Sequence, residues 1–142
     1  MKNKIFKYDF LIVGAGLIGS LAAMALHQKK YKVLVIEKNK LFPNDQRTLA
    51  VNANSRDFLK NLGIWKTLKF NFESIEKIVI KDYINKKDLI FQNAEESMGS
   101  VIFNMSLLKI SRDYLTKNKI LLTNIDFNSL NFRAKTIVSI NS

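Results

Sequence analysis

The chain has no cysteine, and only one proline, one histidine and one tryptophan in 142 residues. Without cysteine there is no disulfide framework, no thiolate metal site and no cysteine nucleophile. That usage fits a reducing compartment. The single histidine, His27, falls at a helix end before Lys29 and Lys30 and reads as a surface residue rather than a base or metal ligand. No zinc spacing, internal repeat or low-complexity linker occurs. The uncharged stretch from Phe10 to Leu26 also reads against a membrane-spanning helix there: it falls short of the roughly 20 residues required and holds three glycines.

What the chain does have is globular in character, with 47% apolar and 25% charged residues. Its length suits one ordinary domain. The net charge is +11. A basic balance can signal nucleic acid or an anionic surface. Here the lysines are scattered from Lys2 to Lys135, in pairs at most, and no RNA-binding aromatic signature accompanies them. They read as a solvated surface, with no nucleic acid partner.

Three of the five glycines sit within six residues, at Gly14, Gly16 and Gly19 of "DFLIVGAGLIGS". Lys2, Lys4 and Lys7 before this stretch, and Ala22, Ala23 and Ala25 just after it, offer an export-signal reading. Asp9 opposes it, and so does the order of the segments around the glycines. Tyr8 to Val13 reads as a buried strand, Gly14 to Gly19 as a tight turn, Leu17 to Gln28 as a helix, and "YKVLVIEK" as a second strand ending in Glu37. Gly14 permits the sharp turn. Gly16 lets a pyrophosphate approach the backbone, and Gly19 lets helix and strand pack closely. The helix N-terminus faces the phosphates. Glu37, 18 residues past Gly19, is placed to accept hydrogen bonds from ribose hydroxyls. A carboxylate there repels a 2′-phosphate, which suits FAD or NAD better than NADP. The expected cofactor contacts are Gly14, Ala15, Gly16, Leu17, Ile18 and Gly19, with Glu37 and Lys38 at the second strand's end.

Beyond Glu37 a polar loop carries Pro43. A helix is predicted from about Thr48 to Leu62, stopped by Gly63, with Ile64 and Trp65 entering a core or a domain boundary. "IEKIVIKDYI", "DLIF" and "VIF" read as strands, the first two joined by a turn at Asn85 to Lys87. A helix is expected from Met105 to Lys117, and then "KILLTNI" as a further strand of the parallel sheet. "FNSLNF" and "KTIVSI" read as strands of a meander. The fold class is therefore α/β: a Rossmann-like FAD/NAD(P)-binding fold with a central parallel sheet and β-meander, incomplete at the C-terminus.

These stretches resemble the N-terminal part of the FAD-dependent aromatic-ring monooxygenases, most closely the ubiquinone-biosynthesis hydroxylases. "YDFLIVGAGLIGSLAAMAL" and "KVLVIEK" match the opening unit. "DQRTLAVNANSRDFLKNLGIW" resembles a D-x-R-x-x-A-L segment followed by L-G-x-W, and is the most discriminating. "SVIFNMSLLKISRDYL" is similar to a strand–Asn–helix segment. The resemblance implies FAD as cofactor, with NAD(P)H and oxygen as co-substrates in hydroxylation of a prenylated phenol. It implies a place for Arg47 along the bound FAD, for Asn104 near the flavin, and for the Ile125 backbone at the adenine. Asn104 also reads as a helix N-cap, and Arg47 as an exposed first-turn residue. No side chain is assigned as catalytic, and no metal is expected.

The resemblance further implies one FAD-binding domain over residues 1–142, with a short β insertion around 75–103 belonging to the substrate side. Family members carry Asp-Gly and Gly-Asp motifs that this sequence lacks, so the chain reads as a fragment of the enzyme. The alternative is a truncated, non-catalytic FAD/NAD-binding module. A nicotinamide dehydrogenase shares Gly14 to Glu37 but leaves Arg47 to Trp65 unexplained. A cytoplasmic location is implied, and a lipid-soluble quinone precursor is compatible with peripheral contact at a membrane's inner face.

Overall fold

The computed structural model describes residues 7–41, 45–68, 72–93, 96–129, 131–133 and 137–139. In chain order the elements are β1 (Phe10–Val13), α1 (Leu17–Gln28), β2 (Val33–Glu37), β3 (Thr48–Asn52), α2 (Ala53–Asn61), α3 (Trp65–Leu68), β4 (Phe72–Ile75), β5 (Lys77–Asp82), β6 (Lys87–Gln92), β7 (Gly99–Phe103), α4 (Asn104–Lys117), β8 (Leu121–Thr123), β9 (Asn131–Arg133) and β10 (Ile137–Ser139). The chain divides into two compact units, one of residues 1–44 and 108–142 and the other of residues 45–107.

The first unit is built on a three-stranded parallel sheet of order β1-β2-β8. β2 is central and its residues Val33 to Ile36 are all buried, which is why it reads as an unbroken apolar run rather than an alternating one. On one face Val33 and Val35 pack with Ala15, Ala23, Leu115 and Ile120. On the other, Leu34 and Ile36 meet Leu11 and Ile125. β8 pairs with β2 in parallel, as "KILLTNI" predicts. The α1 boundaries coincide with the sequence reading. His27 departs from it: the ring is half-buried and its Nδ1 lies 2.9 Å from the Tyr114 hydroxyl, so the helix end is packed rather than open. β9 and β10 form an antiparallel ribbon. The predicted strand "FNSLNF" begins as a 3-10 turn at Phe127–Ser129, where the Asp126 carboxylate accepts from Asn128 N–H and bends the chain. Pro43 lies outside the described residues.

The second unit carries an antiparallel sheet of order β3-β7-β4, the helices α2 and α3, and the β5–β6 hairpin. The helix expected from Thr48 starts five residues later. Thr48 to Asn52 pair with Gly99 to Phe103, and Ala53 begins the helix. The switch falls at Asn52, whose Oδ1 accepts from Ser55 N–H at 2.9 Å and caps α2. Gly63 does end this segment, at φ +77°. Ile64 is fully buried, whereas Trp65 is half-buried with its ring against Phe72. The predicted strand "IEKIVIKDYI" is realised as β5, Lys77–Asp82, which pairs with β6; only its first residue, Ile75, belongs to β4, a strand over Phe72–Ile75 that the sequence reading does not foresee and that pairs with β7. The hairpin turn falls at Tyr83–Lys86, earlier than expected, because the Asp82 carboxylate accepts from the Ile84 and Asn85 N–H groups. Among the described residues no helix is long and apolar enough to cross a membrane.

Candidate functional site

In the first unit the strand–turn–helix around Gly14–Gly19 has its geometry set by backbone contacts. Gly14 sits at φ +96°, a region that L-residues avoid, and its N–H donates to the Ile36 carbonyl at 2.8 Å. A Cβ on Gly19 would lie 2.1 Å from the Gly14 carbonyl oxygen, so only glycine lets α1 approach β1 this closely. A Cβ on Gly16 would meet nothing of the chain within 4 Å. Ala15 is buried, Leu17 half-buried and Ile18 exposed. Gly16 is the α1 N-cap, with no side-chain cap and no acid in the first turn. The first-turn N–H groups therefore have no partner within the helix and present positive charge to any anion at that end.

Two side chains hold the turn. The Ser20 hydroxyl, fully buried, donates to the Ala15 carbonyl at 3.1 Å. Glu37 Oε2 accepts from Ala15 N–H at 2.7 Å, and Oε1 accepts from Asn39 N–H at 2.9 Å. The Glu37 carbonyl accepts from Ile125 N–H at 3.1 Å, which ties the chain after β8 to the end of β2. Partial burial pushes the Glu37 carboxyl up, but the Asn39 and Ala15 N–H groups and the Arg112 charge outweigh it, and the carboxyl rests below its ordinary value. Each carboxylate oxygen retains acceptor capacity for a ribose hydroxyl. Lys38 points away into a surface ion pair with Asp126 at 3.0 Å. The first unit thus gathers Gly14, Ala15, Gly16, Leu17, Ile18, Gly19, Glu37 and Ile125 around one turn. An open backbone position at Gly16, donor N–H groups and an ionised acceptor suit a diphosphate joined to a ribose.

In the second unit Asp45, Arg47 and Asn104 form a cluster. Arg47 Nε and Nη2 each donate to the Asp45 carboxylate at 2.8 Å, and Arg47 N–H donates to it at 3.0 Å. The Asn104 side-chain amide donates to the same carboxylate, and Asn104 N–H donates to the Arg47 carbonyl at 2.9 Å. Arg47 lies in the segment before β3 rather than in a helical turn, and Asn104 is the first residue of α4 rather than its cap. The Arg47 hydrogen bonds hold the Asp45 carboxyl far below the usual carboxylate range.

Three residues of these clusters escape the sequence reading: Ser20, Asp45 and Arg112. Arg112 is buried, on the stripe of α4 that also holds Leu107, Leu108, Ser111 and Leu115. That spacing is visible in the sequence as a charge on an otherwise small and apolar helix face. Asp45 has a weaker signal, its position two residues before Arg47.

Residues 7–106 match the family described as the FAD binding domain. The chain belongs to that family. No curated protein sequence matches it significantly. Among solved structures of similar fold is HpxO of Klebsiella pneumoniae, complexed with FAD and uric acid. It is 19% identical with a TM-score of 0.67, over 91% of this chain and 34% of that one. The p-nitrophenol 4-monooxygenase PnpA of Pseudomonas putida DLL-E4 is 14% identical, TM-score 0.71, over 90% and 34%. CtdE, solved with FAD and a substrate, is 21% identical, TM-score 0.67, over 89% and 32%. At these identities the likeness is one of fold. The chain spans about a third of the length of these proteins. The chain is an α/β member of the FAD binding domain family.

Proposed function

We propose that this chain is the FAD-holding part of a flavin-dependent monooxygenase that hydroxylates an aromatic ring. The reading is carried by the first unit's turn. In a chain of the FAD binding domain family, Gly16 leaves open space, the α1 N-terminus offers uncapped donors, and the Glu37 carboxylate is locked beside them. The N–H groups at Gly16 to Ile18 would take the pyrophosphate of FAD, and Glu37 the adenosine ribose. The Ile125 backbone would meet the adenine, and Lys38 would add a surface charge at the same end. Arg47 and Asn104 are proposed as cofactor residues on the strength of the D-x-R and strand–Asn–helix segments they occupy. The strands within residues 75–103 are proposed to belong to the substrate side.

Bound flavin, reduced by NAD(P)H, supplies the oxygen-activating chemistry. The chain's own residues bind, orient and exclude water, and none of them is assigned an acid–base role. The substrate class we propose is a prenylated phenol of ubiquinone synthesis. Such a lipid-soluble substrate suits a cytoplasmic enzyme peripheral to the inner face of a membrane. The test is FAD titration followed by assay of NAD(P)H- and oxygen-dependent hydroxylation of a prenylated phenol. Saturable FAD binding with hydroxylated product supports the reading. Hydroxylation of simple phenols alone overturns the substrate class, and absence of FAD binding overturns the reading as a whole.

A further inference from the structure

We propose that the apex of the β5–β6 hairpin is the surface by which the chain meets an anionic phospholipid bilayer, with Tyr83 and Ile84 entering the interface and Lys86 and Lys87 meeting the headgroups. The inference rests on the reading of the enzyme as peripheral to a membrane, and names the contact. Tyr83 and Ile84 are the two most exposed large apolar side chains among the described residues, at 86% and 91%. A solvated turn is ordinarily built from Gly, Asn, Asp and Ser. Here the turn is held from its flanks instead. Asp82 Oδ1 accepts from Ile84 N–H at 2.9 Å and Asn85 N–H at 3.1 Å, and Oδ2 accepts from the Asn85 side-chain amide at 2.7 Å. None of these bonds uses the Tyr83 or Ile84 side chain, so the shape of the turn does not depend on them.

The charge around the apex suits an anionic partner. The hairpin from Lys77 to Gln92 holds four lysines and two aspartates. Asp88 faces Lys81 across the ribbon and Asp82 faces Lys87, but both Asp82 oxygens are already engaged by the turn. Among the described residues Lys81, Lys86 and Lys87 form no ion pair. Lysines placed near an anionic leaflet are attracted to it over about a Debye length. The shape suits a bilayer better than a protein surface. A docked protein covers one face of a ribbon, whereas here both faces are apolar, with Ile78, Ile80, Leu89 and Phe91 on one and Val79 and Ile90 on the other. End-on entry covers the apex and the adjoining ends of both faces together. The depth is limited, because the outer edges of this two-stranded ribbon have no strand partner and hydrocarbon cannot satisfy their backbone groups. The apex therefore stops at the headgroup level, where a tyrosine keeps its ring in apolar surroundings and its hydroxyl in water. A second copy fits less well, since each chain brings a net charge of +11.

The experiment measures co-sedimentation of the full chain with vesicles of phosphatidylcholine alone and of phosphatidylcholine with phosphatidylglycerol in equal parts. Three double variants are compared: Tyr83→Ser with Ile84→Ser, Lys86→Gln with Lys87→Gln, and Lys29→Gln with Lys30→Gln as a control for charge elsewhere. Circular dichroism and FAD titration confirm that each is folded as the wild type is. The expected result is wild-type binding to the anionic vesicles only. The apolar pair of substitutions should weaken it about tenfold, the Lys86 and Lys87 pair about tenfold or more, and the control pair less than about twofold. Equal loss from the two lysine pairs, with none from Tyr83 and Ile84, would assign the binding to diffuse charge; it overturns the inference and leaves the peripheral reading standing. Self-association of the wild type that the apolar pair abolishes, with vesicle binding unchanged, would assign the apex to a second copy and overturn the inference as well. A wild type that binds neither vesicle defeats the peripheral reading itself and the inference with it.

Discussion

Gly16 and Gly19 are three residues apart in one turn and constrain different things. At Gly19 an added methyl group would strike the Gly14 carbonyl at 2.1 Å. Gly19→Ala is therefore expected to force α1 away from β1 and to cost on the order of 3 kcal/mol, read as a fall in thermal midpoint. At Gly16 the same methyl group meets only open space. Gly16→Ala should cost no more than about 1 kcal/mol, the scale of an N-cap change, while weakening FAD binding. Glu37 adds a pH dependence. Its carboxyl lies below the ordinary value in the folded chain, so the fold favours the ionised form. The stability it confers is complete above the unfolded carboxyl value of about 4.3 and is lost as pH falls through the lower folded value. Thermal unfolding across the acid limb from about pH 5 to about pH 2 should fall more steeply for the wild type than for Glu37→Gln. Glu37 itself is legible from its distance to Gly19, but its bond to Ala15 N–H is not, because that contact depends on how the turn folds back over the end of β2.

Elements are legible where local pattern and distant pairing agree, as in α1 and β8, and illegible where the two conflict, as at Thr48–Asn52. α1 is set by its glycine turn and its run of strong helix formers, and its limits are legible in the sequence. β3 reads as helix because its apolar positions run on into those of α2, yet it becomes a strand because its five residues find β7 about fifty positions downstream. β4 has the same origin, since it too forms on β7, whereas β5 pairs with β6. α4 anchors the first unit through Leu115, which is fully buried against Ala23 and Val35. Leu115→Ala is expected to destabilise by about 2–5 kcal/mol in chemical denaturation. The β5–β6 hairpin behaves differently. Its cross-strand pair Ile80 and Leu89 is 53% and 55% exposed, so apolar side chains face solvent along a two-stranded ribbon with free edges. Replacing both by threonine should cost about 1 kcal/mol or less, the scale of a cross-strand pair, and should lower aggregation measured by light scattering.

At the scale of the molecule, the chain carries a complete first βαβ segment with an acid at its end, and the second unit, Asp45–Leu107, is inserted in sequence between the two stretches of the first unit. That interruption is not legible from composition, because both units share the same lysine-rich, isoleucine-rich character. The dinucleotide pattern is legible because each of its parts answers a local demand: a turn, a close approach, an open backbone and a ribose acceptor. The claim that rests on it is that this turn holds the pyrophosphate of FAD. The measurement that bears on it most directly is a fluorescence titration of FAD with the wild-type chain and with Gly16→Val. Saturable quenching by the wild type, weakened at least about tenfold by Gly16→Val at unchanged folding, is the outcome expected from a phosphate seated against that backbone. Equal quenching by both proteins would place any bound flavin elsewhere, and no saturable quenching by the folded wild type would contradict the claim outright.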